Sequence, residues 1–538
     1  MSTLDCDVLI LGGGTAGSVL AARLTEDPRL RVTLVEAGGE AGSLLVQLPV
    51  GFARLITHPR YDWCYRQVQD PSIHGRRFIW SAGKLLGGSS SINGQVYIRG
   101  MRQDYDRWVA AGARGWGFDN LLPYFRKSED WTGTPHPAHG QGGPMTVSPM
   151  REPHPLCADF IAACVECGLR RLDDYHDGDM EGVFLTVATQ RNGWRCSSEK
   201  AFLRPARTRP NLRVLTHAEA HELLFEGRRA HGAVVHSRHG ELTINARREV
   251  IVSCGTVGSA ALLLRSGIGP GARLQQLGRT VLHDLPGVGQ NLQEHPGVGQ
   301  NRYARCATIN SQMRPHHMLA HLWAFLSARK GVLTAPAVQA MGLVRMQAAT
   351  DVPDVQLHFL PLSYDIEPDT LSTASASMSK QPTVTILTTL CHPYSRGHVE
   401  IDERGAPRIA HPLLGDQRDV DTLVRAQRFV VDLFETKAMQ RIVSGLRTPE
   451  RLPETDDQWA EYVRWKAAPA YHPVGTCRIG IDSTAVVDPS LRVHGIDRLR
   501  VIDASVMPLL PSTNTNAPTL AIAERGADLV RQDLRENV

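Results

Sequence analysis

The stretch from Asp7 to Glu36, DVLILGGGTAGSVLAARLTEDPRLRVTLVE, leaves the chain few folds to adopt. Val8 to Leu11 is a continuous apolar run of strand length that leads straight into Gly12, Gly14 and Gly17, in G-x-G-x-x-G spacing. The first glycine permits a tight turn and the second lets the backbone approach a pyrophosphate. The third lets the following helix pack on the strand, where Ala21 keeps the face small. Such a helix presents free N–H groups and the positive end of its dipole to phosphates. A second strand ends on Glu36, placed to accept from a ribose hydroxyl. Strand, glycine turn, helix, strand and terminal acid together predict a dinucleotide site rather than an ordinary loop, without deciding between FAD and NAD.

At 538 residues the chain exceeds one ordinary core, so two domains are expected. An apolar fraction of 42% with 48 Gly and 33 Pro suits a globular, loop-rich α/β enzyme. A formal charge of +4 is small for this length and argues against nucleic acid as the main partner. Ten cysteines without disulfide-framework spacing read as reduced thiols, and no charged n-region with an apolar h-region precedes the first strand. The expected location is therefore the cytoplasm, with a peripheral contact at the inner membrane compatible with the sequence. No uncharged apolar run of about 18 residues is present to span a bilayer.

A second informative stretch is GKLLGGSSSING, from Gly83 to Gly94. Gly87 and Gly88, with Ser89, Ser90 and Ser91, let backbone amides crowd around an anion or a flat ring, and Asn93 adds a side-chain donor and acceptor. Its apolar flanks are not linker composition. Further on, Phe160 to Cys167 reads as a helix whose Cys164 and Cys167 have C-x-x-C spacing without a thioredoxin-like context. His317 and His321 are spaced i, i+4, but no carboxylate motif completes a metal site. The apolar residues Met318 to Leu326 beside them could line a substrate pocket, form an interface or touch a membrane, with burial the default and an uncharged, hydrophobic substrate favoured.

These two stretches, with CGTVGSAALLLRSGIGP (Cys254 to Pro270), LPGVGQNLQEHP (Leu285 to Pro296), YHPVGTCRIG (Tyr471 to Gly480) and LRVIDASVMPLLPSTNTNAPT (Leu499 to Thr519), resemble the glucose-methanol-choline oxidoreductase family over nearly the whole chain. Within it the chain looks most like the bacterial choline dehydrogenase and alkanol dehydrogenase branch. The resemblance implies FAD as the cofactor and oxidation of an alcohol. It implies a Rossmann-like FAD-binding domain from 1–150, 190–300 and 469–538. An interleaved substrate-binding domain, an antiparallel sheet flanked by helices, would take 151–189 and 301–468. The cofactor would meet Gly12, Gly14, Thr15, Ala16, Gly17, Glu36 and Ala37 at the first turn, and Gly83, Leu86, Gly87, Gly88, Ser89, Asn93, Gly94 and Val96 at the serine loop. Ala220 would lie beside the adenine, and Asp503, Ala504, Asn516, Ala517 and Pro518 beside the flavin end. Members that bind flavin covalently carry a histidine in the stretch where this chain has Ile92, which implies non-covalent FAD. A proline usually follows Ser259, where this chain has Ala260, with no functional consequence expected.

The same resemblance makes His472 the catalytic base and Asn516 its partner. An imidazole with an ordinary pKa near 6.5 is neutral enough at pH 7 to take a hydroxyl proton. Pro473 biases the backbone of His472 to an extended form, and Asn516, ahead of Ala517 and Pro518, also reads as the N-cap of a helix over 519–530. The electrons would pass to a quinone, another carrier or oxygen. A flavin-containing lyase, in which FAD is not reduced, is the alternative outside redox chemistry.

Overall fold

A computed structural model of the chain describes residues 2–347, 350–364 and 378–536. Its first sheet is built on the strand Ser2–Leu11, whose Val8, Leu9, Ile10 and Leu11 are wholly buried. The strand pairs in parallel with Val32–Glu36 on one side and Gly240–Val252 on the other, and Leu212–Thr216 adds in parallel outside Val32–Glu36. Burial on both faces is what a continuous Val/Leu/Ile run requires, and parallel pairing supplies it. The 13-residue strand Gly240–Val252 serves two neighbourhoods. Its first half closes a meander with Arg229–Ser237 and Ala218–Glu226, and its last residues pair in parallel with Leu499–Val501. The C-terminal end of the chain is thereby returned to the first glycine turn.

The second sheet is antiparallel, in the order Val443–Thr448, Pro296–Ala304, Thr383–Leu390, Val355–Leu360, Ala340–Val344 and Gly182–Leu185, with Ala468–Pro469 paired beside Pro296. The helix Gln417–Glu435 covers it through Val420, Leu423, Val424, Val430, Leu433 and Phe434, an apolar stripe at helical spacing, and Asp416 caps its start by accepting from Arg418 N–H. The sheet starts at Pro296 rather than at 301, because the strand continues unbroken from the LQEHP motif.

One expectation changes and one holds. The apolar segment after His316 is the helix Met318–Ala328, but only Phe325 is fully buried; Trp323 is 73% exposed, so the segment neither fills the core nor lines a pocket with that ring. The C-x-x-C pair lies on and just past the helix Leu156–Glu166 as free cysteines, both with thiol pKa pushed up by burial, which leaves little reactive thiolate. Among the described residues no helix is long and apolar enough to cross a membrane.

The third fingerprint glycine has no freedom to change: a Cβ on Gly17 would lie 1.9 Å from the carbonyl oxygen of Gly12. Gly17→Ala is expected to destabilise the fold by about 1–3 kcal/mol, read as a lowered Tm in calorimetry. An unchanged Tm would show that turn and helix can separate without cost.

Candidate active site

Gly12 adopts φ +105°, which a side chain would strain, and the turn it makes delivers Gly14 to the start of the helix Thr15–Leu24. No side chain caps that helix, so its first N–H groups stay available to an anion. Glu36 spans the turn: one carboxylate oxygen accepts from Gly13 N–H and the other from Gly38 N–H, each at 2.8 Å, and burial pushes its pKa up to about 7. Beside it a cavity of about 580 Å³ opens, lined by Ala37, Gly38, Arg60, Lys84, His217 and Arg238. Ala220 is buried in the neighbouring meander and its carbonyl accepts from Arg265.

The serine loop closes onto this turn. Gly87 N–H donates to the Gly13 carbonyl at 2.7 Å, and a Cβ on Gly88 would sit 2.7 Å from the Gly14 Cα. Leu86 and Val96 are buried, Ser89 Oγ accepts from Gly83 N–H, and Gly94 faces Ala337. Sequence reasoning missed what holds the loop. Arg195, 1% exposed, donates to the carbonyls of Ser90 and Asn93, to Asn93 Oδ1 and to the Val46 carbonyl. All of these acceptors are neutral, and burial lowers the guanidinium pKa to about 9. An arginine in QRNGWRCSS carries no local mark of this role.

At the other end, the segment Ala470 to Val474 pairs with Gln293 to His295 and turns through Tyr471, at φ +65°. Glu294 accepts from His472 N–H with both oxygens at 2.9 Å and from His295 N–H at 2.8 Å, and burial pushes its pKa up to about 8. The ring of His472 lies between two partners. Its Nδ1 is 3.0 Å from His295 Nδ1, and its Nε2 is 2.8 Å from Asn514 Nδ2. His295 Nε2 faces the carbonyls of Cys391 and Pro511, which only accept, so Nε2 carries the proton. Burial holds His295 neutral, so its Nδ1 accepts and His472 Nδ1 must donate. The lone pair of His472 is thereby fixed on Nε2, facing Asn514. Burial lowers the His472 pKa to about 4, and His358, near enough to feel it, falls to about 3.

The asparagine whose amide meets the His472 ring is Asn514, where the sequence resemblance had pointed to Asn516. Asn516 is the first residue of the helix Asn516–Glu536 rather than its cap, since Thr519 N–H donates to the Thr515 carbonyl, and its Oδ1 lies 3.4 Å from Thr15 Oγ1. The two amides meet different partners, Asn514 Nδ2 the His472 ring and Asn516 Oδ1 the Thr15 hydroxyl, and the STNTNAP repeat of asparagines hid which one faces His472. Asp104 positions Asn514 by accepting from Ser512 N–H and Oγ while also bonding His392. The Asn514 Oδ1 and Thr513 Oγ1 atoms are buried without a partner. Asn516, with buried Ala517 and Pro518, instead brings the start of the last helix beside the first glycine turn. The Asp503 carboxylate also has a different task, accepting from Gly255 N–H, Ser259 Oγ and Ser505, which leaves only its backbone and that of Ala504 for a ligand.

The sequence carries this geometry within a known family. Models described as GMC oxidoreductase match residues 6–297 and 393–523. The chain is a GMC oxidoreductase. It is 35% identical to an alcohol dehydrogenase [acceptor] of Pseudomonas putida over 97% of this chain and 95% of the relative. It is 36% identical to an oxygen-dependent choline dehydrogenase of Burkholderia pseudomallei over 99% and 94%. Among solved structures, pyridoxine 4-oxidase from Mesorbium loti superposes with a TM-score of 0.87 at 32% identity, covering 98% of this chain and 99% of that one. An Aspergillus oryzae formate oxidase variant superposes with a TM-score of 0.91 at 27% identity, each chain fully covered. GMC oxidoreductases are FAD flavoproteins, and the residues fit that cofactor: glycines with no room for Cβ, an uncapped helix start, and buried polar atoms awaiting partners.

Arg195→Met is expected to lower the FAD-to-protein ratio of the purified GMC oxidoreductase by several-fold, because the Ser90 and Asn93 carbonyls, the Asn93 amide and the Val46 carbonyl lose their shared donor. Full FAD occupancy in the variant, read from the flavin and protein absorbances, would show that the loop holds itself.

Proposed function

We propose that this GMC oxidoreductase oxidises an uncharged primary alcohol to the aldehyde with non-covalent FAD, His472 acting as base and Asn514 as hydrogen-bond donor to the alcohol oxygen. The observation that carries this reading is the fixed tautomer of His472, whose Nε2 lone pair shares its position with the Asn514 amide. A hydroxyl entering between them gives its proton to Nε2 and accepts from Asn514 Nδ2, so the negative charge that develops on oxygen meets a donor already in place. When bound, FAD supplies the two-electron acceptor for the hydride leaving the alcohol carbon. The first glycine turn and the serine loop would hold its diphosphate, and Glu36 its ribose. Ile92, buried beside that loop, offers no nucleophile for a covalent link.

An uncharged substrate is favoured because the groups touching His472 are His295, Asn514 and Glu294, a carboxyl whose pKa burial pushes up to about 8, against carrying a charge. A quaternary ammonium would need an ionised carboxylate or an aromatic cage. The electrons pass to a quinone or similar carrier. Oxygen is the second reading, favoured by the oxidases among the structural neighbours.

Three outcomes test this. Alcohol added without air should bleach the flavin, which a lyase would not do. Mixing with acid should release the flavin into the supernatant; flavin that stays with the protein would mean a covalent bond. In rapid mixing, Asn514→Ala should slow flavin reduction by about 10²–10³-fold, on the order of 2.7–4 kcal/mol. Asn516→Ala should leave that rate within about threefold, since its amide faces Thr15; the reverse ranking would return the role to Asn516.

The pH profile follows from the depressed His472 value. The base works only when neutral, so reduction should be independent of pH from about 6 to 7, below the value near 8 to which Glu294 is raised, and fall as pH drops through about 4. A rate that already halves near 6.5 would mean that His472 is not desolvated.

A further inference from the structure

The helix Met318–Ala328 carries four large apolar side chains into solvent: Leu319 is 80% exposed, Leu322 45%, Trp323 73% and Leu326 59%. They are spaced i, i+3, i+4 and i+7 and therefore form one stripe. The other strongly exposed apolar residues, such as Leu44, Tyr394, Trp465 and Ile481, are scattered singly over the chain, as on any protein surface. The stripe is rigidly mounted. On the inner side Phe325 is buried and packs edge-on against Trp194 at 4.7 Å, the Arg329 guanidinium lies over both rings, and His321 Nε2 bonds the Gln312 carbonyl.

Among the described residues, the charged side chains around the stripe are mainly cationic. No Asp or Glu occurs from His295 to Thr350. Exposed Arg314 stands before the helix, next to Lys380, whose carbonyl it bonds; exposed Lys330 follows the helix, and Arg151 reaches the Ala328 carbonyl. Glu152 accepts from Gly331 N–H just past the C-terminal end. A short helix with Leu and Trp on its outer face and cations at both ends is built for an interface in which apolar depth lies just beneath negative charge. At 11 residues it is too short to span a bilayer and suited to lying in its surface, with Trp323 at headgroup level.

We infer that the helix Met318–Ala328 docks this enzyme on a lipid surface bearing anionic headgroups. The docking face lies one layer from the cofactor loop. Trp194, against which the helix packs, adjoins Arg195, which holds Ser90 and Asn93. Gln190, in the same hairpin, donates to the Thr334 carbonyl just beyond the helix. Docking therefore brings the flavin side of the enzyme toward the bilayer, where a lipid-soluble electron acceptor would reside. The docking itself does not depend on which acceptor is used.

The test is co-sedimentation of the FAD-loaded full chain with vesicles of mixed phosphatidylcholine and phosphatidylglycerol, against phosphatidylcholine alone. Binding is expected with the anionic vesicles and is expected to weaken with added salt. The double variant Leu319→Ser with Trp323→Ser should bind at least about tenfold more weakly, while Ile481→Ser, exposed elsewhere, should bind as the wild type does. Flavin reduction by alcohol should be unchanged in both variants. Wild-type protein that stays in the supernatant with anionic vesicles, or a double variant that binds equally well, overturns the inference. A concentration-dependent dimer that is lost in the double variant, without vesicle binding, also overturns it and assigns the stripe to a second copy.

Discussion

The contact between Gly13 and Gly87 is the constraint from which the rest of the site follows. Two loops from different parts of the chain meet there backbone to backbone, with Gly88 so close to Gly14 that no side chain fits on Gly88. Burying two turns against each other leaves many N–H groups without room for side-chain partners, which is costly unless something else accepts from them. Part of the demand is met internally, by Glu36 at Gly13 and by Ser89 Oγ at Gly83. The helix Thr15–Leu24 has no side-chain cap, so its first N–H groups remain for an anion such as the diphosphate of the proposed cofactor. The last helix joins the same point through Asn516 and Thr15, so two helix starts converge where the anion belongs. The returning strand Leu499–Val501 makes that convergence possible, because it pairs with the same long strand that flanks Ser2–Leu11.

Much of this was legible in the sequence, and the parts that were not have a common reason. Period and run length located the strands Val32–Glu36 and Val355–Leu360 because burial on both faces demands unbroken apolar residues. The glycine spacing located the turn because its conformations exclude other residues. Asn514 and Asn516 could not be told apart, since both sit in one polar repeat and the choice depends on where Ser512 is held by Asp104, far away in the chain. Arg195 and His295 were invisible for the same reason: each acts through carbonyl groups or another ring, and such partners leave no pattern along the chain. The helix Met318–Ala328 was recognised, but an apolar sequence cannot say whether its face meets the core or the solvent.

The groups around His472 are held neutral by burial. His295 falls well below its ordinary range, His358 to about 3 and His472 to about 4, while Glu294 rises to about 8. Each shift has the same sign in energy, against charge in a site cut off from water. Neutral histidines have only one donor nitrogen each, so the tautomers form a chain that starts at the Pro511 carbonyl and ends on the Nε2 lone pair of His472. The direction of proton acceptance is thus decided by a backbone oxygen two residues apart from the Thr513 that precedes Asn514.

A base of such low pKa has a consequence for the order of events. An alcohol hydroxyl is a far weaker acid than an imidazolium of pKa about 4, so His472 cannot strip it to a free alkoxide while the adjoining C–H bond is intact. The hydroxyl becomes acidic only as its carbon loses hydride and turns toward a carbonyl. In the proposed roles, proton and hydride transfers would advance together, with Asn514 limiting the charge that oxygen must carry between them. This explains why the residues next to His472 avoid charge: a fixed anion would raise its pKa and favour a protonated resting ring, whereas a fixed cation would oppose the proton it must receive. The neutral shell keeps the base empty until the substrate itself drives the transfer.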